Sequence, residues 1–89
     1  MEITTTMVRF RCPKRMMEVN TPKAQMFAFG AEEDKKTWVP NNKLIVLPDN
    51  ESNDLNVCTM PKWVYYKTIL PQYTQIDEEF VHTETINNI

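Results

Sequence analysis

Thr37-Trp38-Val39-Pro40, Leu44-Ile45-Val46-Leu47 and Thr59-Met60-Pro61-Lys62-Trp63 follow one another through the middle of the chain. They read as strand, turn, short buried strand, polar loop, strand and a helix started by proline. Asn41-Asn42 supplies the turn, because asparagine bonds its own backbone and tolerates left-handed conformations. Pro48 to Asp54 is the polar loop. Leu55 to Thr59 alternates, with Leu55, Val57 and Thr59 on one face and Cys58 on the other. Thr59 or Met60 would cap the helix, and Pro61 fits its first position, where the missing N–H costs nothing. The helix would run to Leu70 and stop at Pro71. Trp63, Tyr66 and Leu70 recur at helical spacing and should pack on the sheet.

Working outward, Thr4 to Cys12 reads as a strand with Thr6, Val8, Phe10 and Cys12 on one face and Thr5, Met7, Arg9 and Arg11 on the other. Pro13 ends it. Lys23 to Gly30 carries apolar residues on both faces, as a central, covered strand does. It should pair with Lys36–Val39 across the charged turn Glu32-Glu33-Asp34. The fold class expected is α+β: a small, mostly antiparallel sheet of four to five strands, either open or curled in the manner of a barrel, with one short C-terminal helix. Residues 1–70 form the globular domain. Residues 71–89 form an acidic tail, docked or free, whose anchors are Tyr73, Ile76, Phe80, Val81, Ile86 and Ile89.

The chain has 89 residues, 42% hydrophobic and 25% charged, with a net charge of −2. This is ordinary globular composition, with a thin core at this length. Acidity argues against a generic polyanion binder. A single glycine, Gly30, excludes the glycine-rich phosphate loops. Met1 reads as a translation start, and no basic start with an apolar core follows it, so a cytoplasmic location is expected. Phe27, Phe29, Trp38 and Trp63 are assigned to the core, while the polar tips of Tyr65, Tyr66 and Tyr73 suit a protein-binding surface.

No set of residues has the spacing of a metal site: there is one histidine, His82, and the two cysteines, Cys12 and Cys58, stand far apart. Both thiols are expected reduced and buried. No cofactor is expected. His82 lies on the tail, a poor place for a catalytic base. Two charged sets are left. Arg9 and Arg11 would leave one strand face about 7 Å apart and, with Lys14 and Arg15, could track a single nucleic-acid strand. Two such arginines more commonly belong to a solvated face, or pair with the acidic tail. Asp77, Glu78, Glu79 and Glu84, with Tyr73, offer a docking surface to a basic protein partner.

The order Lys23-Ala24, Trp38-Val39-Pro40, Leu44, acidic loop, Thr59-Met60-Pro61-Lys62-Trp63 resembles small phage-encoded accessory proteins over residues 23–70. It departs from them at Asn41-Asn42 and Ile69-Leu70-Pro71, where that group has a lysine–serine pair and a closing glycine. The resemblance implies viral origin and fold, and transfers no catalytic residue. The function expected is non-enzymatic: binding a macromolecular partner in the host cytoplasm, most naturally to inhibit a host enzyme or defence complex. A single-strand nucleic-acid binder and a virion or assembly component are the alternatives.

Overall fold

The computed structural model describes residues 1–87, so Ile89 lies outside the described residues. The elements are β1 (Glu2–Pro13), β2 (Ala24–Ala28), β3 (Lys36–Pro40), β4 (Ile45–Pro48), β5 (Leu55–Pro61), α1 (Lys62–Tyr66), α2 (Leu70–Tyr73) and β6 (Glu78–Thr85). They form a small α+β fold with two antiparallel sheets. One has the order β4-β5-β1-β6; the other is the β2-β3 hairpin. The mostly antiparallel sheet expected is formed, and its barrel-like alternative is not: β4 and β6 are opposite edges of an open sheet.

Alternation along β1 sets the core. Val8, Phe10 and Cys12 point inward and are fully buried. Register places Met60 opposite Val8 and Cys58 opposite Phe10. The hairpin contributes Phe27 and Val39 to this face, α1 contributes Val64 and Tyr65, and α2 contributes Leu70. The Phe10 ring lies 5.2 Å from that of Tyr65 and 6.3 Å from that of Phe27. Burying one such side chain contributes about 2–3 kcal/mol, so three rings around one point dominate a core this thin.

The predicted hairpin of 23–30 with 36–39 forms, with Phe27 opposite Thr37. β2 is not a central strand, however, because it has one partner strand and buries only Gln25 and Phe27. The Gln25 amide nitrogen donates to the carbonyls of Met17, Val19 and Met26 at 2.9, 3.1 and 2.8 Å. This buried side chain fixes the segment after β1, which has no clear periodicity of its own. Gly30 does not use a positive φ.

Other expectations are corrected. In the stretch Leu44–Leu47, expected to be a buried strand, Leu44 packs against the core, but Ile45 to Leu47 belong to the exposed edge β4, with Ile45 55% and Leu47 59% exposed. The helix 61–70 is two short helices. Thr68 Oγ1 donates to the Tyr65 carbonyl and accepts the Leu70 N–H, which closes α1 and opens α2. Pro71 sits in the first turn of α2 instead of stopping a helix, as its lack of an N–H allows. In α1, which starts directly after Pro61, Val64 and Tyr65 face the sheet while Trp63 and Tyr66 face outward. Trp38 (47% exposed) and Trp63 (53%) therefore leave the core, and Tyr65 enters it. Pro61 itself ends β5 and precedes the first helical residue.

The segment after Leu70 docks. β6 pairs antiparallel with the first half of β1, from Glu2 opposite Thr85 to Arg9 opposite Glu78. Before it, the Tyr65 hydroxyl donates to Thr74 Oγ1 at 2.8 Å, and Tyr73 stacks on Phe29 with ring centroids 4.6 Å apart. No helix among the described residues is long and apolar enough to cross a membrane.

Candidate functional site

The hairpin and both helices cover one face of the four-stranded sheet, and the other face is bare. Strand alternation and register decide what it shows. β1 contributes Met7, Arg9 and Arg11; β5 contributes Val57 and Thr59; β4 contributes Ile45 and Leu47; β6 contributes Phe80 and His82. Ile45, Leu47, Val57, Met7 and Phe80 line a shallow depression of about 380 Å³. The Arg9 guanidinium lies over the Phe80 ring, 4.7 Å from its centroid. A sheet face meant for water alternates to polar residues; the centre of this one is apolar.

Charged pairs rim the depression, and they join the two charged sets read from the sequence. Arg9 bonds Glu78, and Arg11 bonds Asp77 at 3.3 Å. Arg11 also has Asp49 and Glu51 at 3.9 Å each. The Asp77 hydrogen bond, with the Asp77 and Asp49 charges behind it, raises the Arg11 pKa. Asp49 Oδ2 is buried with no hydrogen-bond partner among the described residues, and Arg11 is the charge beside it. Lys62 bonds Glu79 at 2.8 Å, which raises its pKa. His82 stands 3.6 Å from Glu84 on the strand rim. Lys14 and Arg15 lie apart, in a 3-10 turn after β1. The arginine face is thus ion-paired, and so is most of the acidic set. Neither presents an uncompensated field of one sign.

The thiols lie on the opposite side. Cys12 and Cys58 are free and buried on the inner face, while His82 is on the outer face. The sheet itself separates thiol from base. Burial pushes the Cys12 thiol up to about 11 and the Cys58 thiol up to about 12. Both states keep these protons below about pH 8.5, the free-thiol value. Above it the unfolded chain releases them first, so stability falls as pH rises toward the folded values. A thiol reagent is expected to leave both cysteines untouched in the native protein at neutral pH and to modify both after urea unfolding. Rapid native-state labelling would contradict their burial. No group of His, Cys, Asp and Glu side chains among the described residues is arranged to hold a metal ion.

The apolar centre of the site escapes a strand-by-strand reading of the sequence. Ile45 and Leu47 look like core until β4 is known to be an edge. The signal available was the shortness of the run between Asn42 and Pro48, with a proline at its end, as edge strands have.

No family model, curated protein or solved structure matches this chain.

Proposed function

We propose that this chain is a non-enzymatic accessory protein that binds a protein partner through the bare face of its four-stranded sheet. The observation that carries this reading is the apolar centre formed by Ile45, Leu47, Val57, Met7 and Phe80 inside a rim of paired charges. Apolar centre and polar rim are the anatomy of a protein interface. Relative to the sequence expectation, the contact moves from the acidic residues themselves to the surface they border. The resemblance of residues 23–70 to small phage-encoded proteins supports a viral accessory role, with inhibition of a host enzyme or defence complex as its natural form.

Leu47→Glu is the direct test. The side chain is exposed, so the fold should tolerate the change with little loss of stability, while a carboxylate placed in the apolar centre should weaken partner capture at least about tenfold. The measurement is affinity capture from host extract, with and without nuclease. Equal capture by Leu47→Glu and the parent, or capture that disappears on nuclease treatment, would sink the reading. The second outcome would restore the single-strand nucleic-acid alternative, which the pairing of Arg9 and Arg11 otherwise disfavours.

An assembly role is the second reading. The observation favouring it is β6, an eight-residue edge strand with one partner. Sedimentation that depends on protein concentration would support it.

A further inference from the structure

β1 is 12 residues long, and β5 beside it is 7. β5 covers β1 from Pro13 to Met7 and ends at Pro61 opposite Met7, where the chain turns into α1. Among the described residues, Glu2 to Thr6 therefore pair with β6 alone. The hydrogen bonds at the two ends of β1 fix where their backbone groups point. The Ile86 N–H donates to the Met1 carbonyl, so odd-numbered residues face β6. The Lys14 N–H donates to the Asp54 carbonyl, so even-numbered residues face the β5 side. Glu2, Thr4 and Thr6 thus aim their N–H and C=O groups into the place β5 has vacated.

That place is an open groove of about 560 Å³, bounded by Thr4–Thr6 on one side and by Lys62, Trp63 and Tyr66 on the other. Its far wall is aromatic and exposed. Among the described residues, the one charged side chain lining it, Lys62, is paired with Glu79, and two further lysines flank its tryptophan, Lys43 from the adjoining depression that also holds His82 and Glu84. The ammonium groups of Lys67 and Lys43 lie 5.4 and 6.0 Å from the Trp63 ring centroid. Among the described residues neither has a carboxylate partner, whereas Lys62 is held by Glu79. The edge itself carries one carboxylate, Glu2, at its outer end.

We propose that this groove takes an extended acidic peptide by strand addition. The peptide backbone continues the line of β5 and completes the ladder on Glu2, Thr4 and Thr6. Its side chains pack on Trp63 and Tyr66, and its carboxylates meet Lys43 and Lys67. A second copy fits this edge poorly. The fullest twofold register, centred on Thr4, puts Met1 of each chain opposite Met7 of the other, a position Pro61 already holds. The groove has no lining residue in common with the apolar depression, and this inference does not rest on that reading.

The edge geometry supplies its own test. The Thr4 N–H points into the groove and not at β6, so Thr4→Pro removes a groove donor without taking a bond from the β1–β6 ladder. Thr4→Val keeps that donor. The probe is a capped peptide of about eight residues alternating valine and glutamate, with a valine–lysine peptide beside it, the span matching the strand-addition mode. Trp38→Phe leaves Trp63 as the only tryptophan, and its emission reports occupancy. The glutamate peptide is expected to bind, to slow hydrogen exchange at the Thr4 and Thr6 amides, and to bind Thr4→Pro at least about tenfold more weakly. Thr4→Val and Leu47→Glu should bind as the parent does. No binding, equal binding of the lysine peptide, or an unaffected Thr4→Pro overturns the proposal. So does self-association that Thr4→Pro abolishes, which would make a second copy the occupant.

Discussion

Phe10→Ala is expected to lower Tm by about 12–40 °C. Phe10 is fully buried at the meeting point of the sheet, the hairpin and α1, against Phe27 and Tyr65. Truncating a buried phenylalanine costs about 3–5 kcal/mol, the lost transfer free energy plus the cavity left behind. A domain of this size has roughly 5–10 kcal/mol in all, and each kcal/mol moves Tm by about 4–8 °C. The cavity term should be large here, because its walls come from three elements that cannot close in together. Phe10→Leu, which keeps most of the volume, should fall much less. Thermal unfolding followed by circular dichroism decides it; a drop under about 5 °C for Phe10→Ala, against the 4–8 °C per kcal/mol scale, would mean that the rings do not hold the three elements together.

The alternation that makes Phe10 central was legible in the sequence. Period-two patterning over Thr4–Cys12 places Val8, Phe10 and Cys12 on the buried face, and the same logic separates Cys58 from Leu55, Val57 and Thr59. The hairpin was legible for the same reason. What was not legible depends on where a strand lies in its sheet. Ile45-Val46-Leu47 has core composition, yet its neighbour count is set by the order β4-β5-β1-β6, which no local pattern encodes. The helix failed for a local reason: one hydroxyl, on Thr68, competes for the backbone and splits it, as threonine side chains can. The split lets Leu70 join Val64 and Tyr65 in the core from a second helix, while Trp63 and Tyr66, on the opposite side of α1, form the aromatic wall of the β1 groove. The pairing of Arg9 with Glu78 and of Arg11 with Asp77 was foreseen only as the bland alternative. It follows directly once β6 lies antiparallel beside β1, because that register sets the acidic start of β6 against the basic end of the strand.

Truncation after Asp77, which removes β6, is expected to abolish the cooperative unfolding transition instead of producing a folded protein with a lost binding surface. Among the described residues β6 is the only strand paired with Glu2–Thr6, and it is the outer partner of Met7, Val8 and Arg9. Without it β1 becomes an edge along its whole length, its odd-numbered backbone groups lose their partners, and Arg9 and Lys62 lose Glu78 and Glu79. The deletion therefore cannot report on whether the acidic residues touch a partner, since the parent surface no longer exists. The charge-only variant Glu78→Gln/Glu79→Gln separates the two questions. Exposed ion pairs contribute little to stability in water, so this variant should melt within a few degrees of the parent, on the same scale of about 4–8 °C per kcal/mol. Its partner capture should also match the parent if the apolar centre at Leu47 and Phe80 carries binding. A folded variant with capture lost at low salt and unchanged at high salt would return the contact to the acidic residues. A truncated chain that still melts cooperatively, with a Tm close to the parent's, would make β6 an appendage and residues 1–77 the folding unit. The hydrogen-bond register argues against that outcome, because the edge strand supplies the only ladder that the first half of β1 has.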